Sequence, residues 1–380
     1  GTLEVAQSYA EKDERVKVFS TPQNSGPYVA RNIALQAATG EFVTVNDADD
    51  WSHEKKIEIQ VTHLLNNPSI IANTSAHARL TEDLYLYRRA TPGKYIFPNM
   101  SSLMFRRKEV MEKLGYWDSV RFAADGEFKR RLIKAFGKEK FVDLDSGPLS
   151  LPRQSVSSLT SSSAFGYNGF FMGARKEYVE SLEYYHKNND LFYPYPLTSR
   201  YFPVPEPMWP QKEEKNADGR REFELVIAAD FRTVKSENDF LYVELKKYMN
   251  TVNGRIGLVQ LYQFDLNLPI TISPIIRKLI DGEKLQILVY GENIDAEKLL
   301  ILDYNLIGQE QNYIPQIFPK QVDLIVGTYK ESINEINKKI NDLYRVPTNF
   351  IPRTKKVRKA INKDELALIS NEDWVKIDGQ

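Results

Sequence analysis

Glu41-Phe42-Val43-Thr44-Val45-Asn46-Asp47-Ala48-Asp49-Asp50-Trp51 is the stretch whose reading decides the fold. Val43 and Val45 flank Thr44 in a short β-prone run that breaks into three carboxylates, Asp47, Asp49 and Asp50, so it predicts a buried strand ending in a charged loop. The acids stand where strand becomes loop, the edge at which open α/β sheets bind ligands, and Ser52 is placed to cap a following helix. Two aspartates one residue apart offer hard oxygen ligands to a divalent ion and leave positions for phosphate oxygens. A metal-dependent nucleotide enzyme needs that arrangement. The alternative is an acidic helix-capping turn made by Asp47 and Asp50.

Upstream, Leu3 to Ala10 has a helical pattern and Val16-Lys17-Val18-Phe19 alternates like a strand. Gly26-Pro27 opens a helix with proline at its tolerated first position; Val29, Ile33 and Ala37 share a face, and Gly40 closes it. Downstream, Ile57, Val61, Leu64 and Leu65 form an apolar stripe that stops at Asn66-Asn67-Pro68, before a strand-like run from Ser69 to Ala72. The order is βαβα. Tyr95 to Phe105 mixes aromatic and small polar residues, as a substrate-facing segment would, and Val110 to Leu114 reads as a short helix. After the turn Gly115-Tyr116-Trp117-Asp118, Phe128, Leu132 and Phe136 share a helix face, and Phe141 to Leu144 reads as an edge or closing strand. Pro152 to Ser163 is serine-rich and expected to be a mobile loop; Tyr167 to His186 reads as one long helix.

Four prolines between Pro203 and Pro210, then charge from Lys212 to Asp218, mark a linker over 203–222. Beyond it, strands at Leu225–Ala229, Ile256–Leu261, Leu285–Tyr290 and Val322–Val326 alternate with helices at Leu241–Met249 and Ile272–Ile280. Continuous apolar strands between helices imply a parallel sheet covered on both faces. The fold class is therefore α/β, with domains at 1–202 and 223–380, and the basic tail Arg353–Lys363 reads as solvated.

The 380 residues carry 51 Lys plus Arg against 51 Asp plus Glu, so no global field draws the chain to nucleic acid. Cysteine is absent and histidines number four, which removes disulfide, thiolate and thiolate-zinc chemistry and leaves carboxylates to carry it. No apolar run approaches the roughly 20 residues that cross a bilayer. The expected location is cytoplasmic, with peripheral placement at the inner face of a membrane.

Asn24-Ser25-Gly26, Ala30-Arg31-Asn32, Gly40-Glu41-Phe42, Asp47-Ala48-Asp49-Asp50 and Lys56-Ile57-Glu58, in this order and spacing, resemble the GT-A family 2 glycosyltransferases, and the likeness extends more loosely to about Pro210. It implies a GT-A, Rossmann-like domain that moves a sugar from a nucleotide-diphosphate donor (UDP-, GDP- or dTDP-sugar) to a hydroxyl of a glycan or lipid-linked acceptor, with inversion, in polysaccharide or cell-surface glycan synthesis. Gly1-Thr2-Leu3-Glu4-Val5-Ala6 resembles the segment just after the family's first acidic, base-reading loop, so the family's first strand and that loop are expected upstream of residue 1.

The family's metal motif maps onto Asp47 and Asp49. Asp49 is the expected direct ligand of Mn²⁺ or Mg²⁺, with Asp47 facing the ribose or the metal's water shell. Arg31, one turn into a helix, is expected at the donor phosphate or base, against the alternative of a solvated arginine. Asn24 maps to the donor side as well, although Asn24 and Asn32 read equally as residues that fix turn and backbone. Inverting transfer needs a base for the acceptor hydroxyl. Ala124-Asp125-Gly126-Glu127-Phe128 resembles the family's base site, giving Asp125 first and Glu127 second, against Asp125 as a dipole-favouring helix acid. Trp117 and Trp51 are acceptor-stacking candidates or ordinary packing, and Arg153 resembles a position near the donor phosphates.

The second domain resembles, at the level of fold alone, the N-terminal half of a GT-B glycosyltransferase, and no Gly-x-Gly-x-x-Gly loop marks a nucleotide site in it. Asp-x-Asp after a strand also occurs in haloacid dehalogenase-type phosphatases, but Trp51 stands where these carry Thr or Val. The reading from another class is a non-catalytic carbohydrate-binding or assembly module, a fragment of a larger tandem glycosyltransferase.

Overall fold

The computed structural model describes residues 1–87, 92–154, 163–371 and 374, and every count or absence below refers to these. The serine-rich stretch expected to be a mobile loop falls mostly outside the described residues, at 155–162. The chain divides into two compact units: 1–162 with 186–200 and 208–212, and 163–185 with 201–207 and 213–380.

The first unit opens with helix α1 (Thr2–Ala10), which buries no residue, and α2 (Pro27–Ala37). Strands β1 (Phe42–Thr44) and β2 (Asp50–Ser52) bracket the acid loop, and α3 (Lys56–Asn66) follows. Then come β3 (Ala72–Leu80), β4 (Leu86–Tyr87), β5 (Ile96–Pro98), β6 (Met104–Arg106), α4 (Arg107–Leu114), α5 (Ala124–Phe136) and β7 (Phe141–Pro152). The sheet order is β1-β6-β3-β7-β2, with β4 and β5 also on β3, and it is mixed: β3 and β7 are parallel and the other pairs antiparallel. It is an α/β fold with a curled mixed sheet.

Three sequence expectations change here. Val16 to Phe19 forms no strand, and both Val16 and Phe19 stay exposed; alternation makes a strand only where a ladder is open to it. The run expected at Ser69–Ala72 instead starts at Ala72 and continues through small polar residues to Leu80. Ala72 to Ala76 are all buried, which alternation does not announce; Asn73 sits there because Gln60 of α3 donates to its Oδ1 at 3.0 Å and accepts from its Nδ2 through the main chain at 2.9 Å. Buried amides that satisfy one another lock α3 to the sheet. β7, expected at an edge, lies between β3 and β2.

The core of this unit is aromatic. Trp117 stacks on Phe128 at 4.9 Å between ring centres, and Phe105 meets both rings edge-on or tilted. Arg131 is fully buried beside them, paired with Glu127 and donating to the carbonyls of Leu114, Tyr116 and Leu191. Gly115 has φ +67°, and a Cβ there would stand 2.1 Å from the Tyr193 carbonyl, so this crossing needs glycine.

His186 is buried against the hydroxyl of Tyr193 at 2.7 Å. Burial, then the charges of Arg131 and Lys134, press its pKa down from 6.5 to about 4. The unfolded chain takes up a proton as pH falls through 6.5 while the folded chain refuses it until about 4, so stability drains across that window. Thermal unfolding read by tryptophan emission, with Trp51, Trp117 and Trp209 all in this unit, should show a smaller fall between those pH values in His186→Gln than in the native chain. Parallel curves would remove His186 as a cause.

The second unit contains α6 (Tyr167–Met172) and α7 (Ala174–His186, its last residue counted with the first unit), broken apart at Gly173 where one helix was expected. Then follow β8 (Arg221–Ala229), α8 (Phe240–Thr251), β9 (Ile256–Gln260), α9 (Pro274–Arg277), β10 (Leu285–Ile287), β11 (Asn293–Ile301), β12 (Gln316–Val326), α10 (Ile333–Tyr344), β13 (Thr348–Pro352) and α11 (Lys355–Ala360). The order β10-β9-β8-β11-β12-β13 is parallel throughout, the doubly wound arrangement of a Rossmann-like domain. Leu225 to Ala229 are buried on both faces, as an interior parallel strand requires.

One connection departs from helix-linked crossovers. The chain passes from β10 to β11, across β9 and β8, in residues 288–292 alone. Leu288 donates its N–H to the Leu258 carbonyl of β9 at 2.9 Å, and a Cβ on Gly257 would come within 2.4 Å of its methyl carbon, so its side chain packs on that glycine. Glu292 pins the far end of this strap, accepting from Val289 N at 2.6 Å and from the buried Arg221 at 2.8 Å.

Candidate active site

The acid loop is a tight turn in which the Asp50 N–H donates to the Asp47 carbonyl at 3.1 Å, leaving Asp49 exposed at the tip. Its base is tied down by Lys56 of α3, whose Nζ donates to Asn46 Oδ1 at 2.9 Å and Ser52 Oγ at 3.2 Å. Ser52 therefore serves the loop and does not cap α3, whose N-cap position is Lys55. Asp50 lies half-buried in β2, with its Cα opposite Pro152 of β7. Burial first, then repulsion from Asp47 and Asp49, raises its pKa to about 6, against the opposing charges of Arg79 and Lys56. Three carboxylates crowded enough to repel one another make a site that favours a cation.

α2 supplies the counterweight. Pro27 sits at its first position, and Asn32, fully buried, holds the Trp117 main chain at both ends: its Oδ1 accepts from Trp117 N at 3.0 Å and its Nδ2 donates to Trp117 O at 2.9 Å. This fixes the segment leading into α5. Ala123, just before α5, adopts φ +73°, a left-handed conformation that costs a non-glycine residue about 1 kcal/mol or more and recurs at functional sites. The turn aims the first residues of α5 at α2.

The result is a five-residue chain joined by four contacts. Arg31 donates through Nη2 to Asp47 Oδ1 at 2.5 Å and through Nη1 to Asp125 Oδ1 at 2.8 Å. Tyr28, one turn earlier on α2, donates its hydroxyl to Asp125 Oδ2 at 2.8 Å, and Ser101 donates to Asp47 Oδ2 at 2.7 Å. Asp125 is held above the usual carboxylate range by burial, with Arg31 and Tyr28 pulling the other way. Each Asp125 oxygen keeps lone-pair capacity beyond its one partner.

Sequence-predicted residues divide on this frame. Asp47, Arg31 and Asp125 are brought together, and Asp49 lies within the same turn. Trp51 is 55% exposed beside the loop, with ring surface free to meet a ligand. Arg153 is exposed and directly follows Pro152, whose Cα faces Asp50. Asn24 fixes the turn before α2, its Oδ1 accepting from Arg121 at 2.9 Å. Two expectations are corrected. Glu127 is no base candidate: it is wholly buried in its ion pair with Arg131. Trp117 is 2% exposed and stacked in the core, so no acceptor ring reaches it. Sequence reasoning missed Tyr28, Ser101 and Arg79 and had Lys56 only inside the Lys56-Ile57-Glu58 string, with no role given to it; Tyr28 stands three residues before Arg31 on the same helix face.

The donor set suits an ion such as Mg²⁺ or Mn²⁺ that keeps waters and shares its shell between one or two carboxylates and substrate phosphates. Among the described residues no group of three His, Asp or Glu forms a closed protein cage. Asp49 and Asp47 fit a partly open site of that kind.

Residues 1–126 match the protein family described as Glycosyl transferase family 2 and form a GT-A domain of that family. An uncharacterized glycosyltransferase of Haemophilus influenzae is 39% identical over 72 residues, covering 19% of this chain and 29% of that protein. One from Methanocaldococcus jannaschii is 26% identical over 141 residues, 34% of this chain and 49% of the relative. A Bacillus subtilis protein, whose name proposes it as a teichuronic acid biosynthesis glycosyltransferase, is 40% identical over 65 residues, 17% of this chain and 26% of its own. The chain thus spans between about a quarter and a half of these relatives' lengths.

Proposed function

We propose, from the premise that residues 1–126 carry a family 2 glycosyltransferase domain, that the protein transfers a sugar from a nucleotide-diphosphate donor to an acceptor hydroxyl with inversion. The observation that carries this reading is the Arg31 bridge, which holds the acid loop and Asp125 one guanidinium apart. A donor diphosphate and an acceptor hydroxyl need that spacing of a cation site and a base.

In this reading Asp49, with Asp47, would hold Mn²⁺ or Mg²⁺ against the donor diphosphate. The ion, when bound, supplies Lewis-acid stabilisation of charge on the departing nucleotide, worth several kcal/mol. Asp125 accepts the acceptor's hydroxyl proton on the lone pair left free beside Tyr28 or Arg31. Arg31, near the positive end of α2, also favours donor phosphate. Trp51 offers a stacking face to an acceptor sugar, and Arg153 a charge at the donor side. The name of the Bacillus subtilis relative supports a cell-surface glycan as product. No helix among the described residues is long and apolar enough to cross a membrane, which fits a domain that works on a soluble donor at a membrane face.

Thermal-shift titration with UDP, GDP and dTDP, with and without Mn²⁺, tests the reading. Metal-dependent stabilisation is expected with the cognate nucleotide, reaching about 2.7 kcal/mol at a hundredfold excess over the dissociation constant. Asp49→Ala should abolish it. A non-catalytic carbohydrate-binding or assembly module would respond to none of the three.

A further inference from the structure

Arg31 brings one positive charge to two carboxylates. Its side chain is 14% exposed, against 20% for Asp125 and 39% for Asp47, so water screens the Asp125 contact less than the Asp47 contact. Each carboxylate has a neutral partner on its other oxygen, Ser101 for Asp47 and Tyr28 for Asp125. The next cation, Lys56, directs its hydrogen bonds to Asn46 and Ser52. Asp47 and Asp125 are otherwise 78 positions apart in the chain, on a loop after β1 and on the first turn of α5 (125 − 47).

We propose that Arg31 is a coupling residue, a shared guanidinium through which the cation site at the acid loop and the carboxylate of Asp125 set each other's ionic partner. When Asp47 is drawn to a cation, Arg31 passes to Asp125 and keeps it ionised and oriented. When Asp125 is neutralised, Arg31 closes on Asp47 and competes with any cation for it. The proposal rests on reading the acid loop as a cation site. Such coupling is reciprocal by thermodynamic necessity: whatever Asp125 does to cation affinity, cation binding does to Asp125. Its consequence is order: the guanidinium is shared by both carboxylates until the donor side is loaded, and only then belongs to Asp125 alone.

Mn²⁺ binding, followed through the spectroscopic signal of the free ion, tests this without turnover. Asp125→Asn is expected to weaken Mn²⁺ binding about 5-fold or more, the lower end of typical coupling. In the Arg31→Lys background, where one ammonium reaches one carboxylate, the same change should matter by less than about twofold, the limit of simple additivity. Tyr28→Phe is the charge-neutral arm. It deprives Asp125 of its neutral partner, draws Arg31 from Asp47 and should tighten Mn²⁺ binding, an effect no through-space field of a lost charge can imitate. Equal effects of Asp125→Asn in both backgrounds, or an unchanged affinity in Tyr28→Phe, overturn the coupling and leave the cation site standing. Absence of saturable Mn²⁺ binding, or binding indifferent to Asp49→Ala, overturns the functional reading and the coupling with it.

Discussion

Asp125→Asn is expected to lower turnover by about 10²–10⁴-fold while nucleotide affinity moves by no more than an order of magnitude. The amide matches the carboxylate in shape and still meets the Tyr28 hydroxyl, so the fold and the first turn of α5 survive. What it loses is the basic lone pair that would take the acceptor proton. Its contact with Arg31 also weakens from an ion pair to a neutral hydrogen bond, which is why affinity shifts slightly. The measurement is kcat with saturating donor and acceptor beside nucleotide binding by calorimetry. Unchanged kcat would remove Asp125 from the role of base, and an equal loss of nucleotide binding would mean the substitution damaged the donor site instead.

The second large effect is on stability. Arg131→Met should cost about 3–5 kcal/mol, since removing one partner of a buried pair strands the other charge. Glu127 and Arg131 are both fully buried, and burial already raises the Glu127 pKa to about 7 against the pull of Arg131. A loss of that size is a large part of the roughly 5–15 kcal/mol that holds a domain folded. Glu127→Leu combined with Arg131→Met should recover the charge component but not the remainder. The carbonyls of Leu114, Tyr116 and Leu191 would still lack the donor that Arg131 provides, at about 1–3 kcal/mol for each buried group left bare. Denaturant midpoints of the native chain and the two variants check the order. A single Arg131→Met variant as stable as the native chain would contradict the assignment.

This pair also marks how far sequence could be read. Asp125 and Glu127 look alike in the string Ala124-Asp125-Gly126-Glu127-Phe128, but two residues on a helix point to nearly opposite sides. Glu127 shares the face of Ala124, Phe128, Arg131 and Leu132, all buried, so the helical period already separated core from site and the motif alone did not. The acid loop was legible because strand, carboxylates and helix follow one another locally. Tyr28 and Ser101 were not, because each meets its aspartate across a long stretch of chain that only the folded sheet closes. β3 escaped notice because its buried polar residues are satisfied by α3, and β11 because Asp295, Glu297 and Lys298 interrupt its apolar pattern. In the second unit the apolar strands gave the parallel, Rossmann-like sheet, and the observed strand order goes no further than that toward a GT-B half.

The strap from β10 to β11 limits how far those two strands can part. Helical crossovers are long, whereas residues 288–292 pass two strands in five residues that include a turn, with the Glu292 N–H donating to the Val289 carbonyl at 3.1 Å. Leu288 still pairs with β9, its N–H donating to the Leu258 carbonyl at 2.9 Å, and its side chain meets the buried Gly257. The places of β10 and β11 are therefore tied to one another through the β8–β9 pair between them, a tether of five residues.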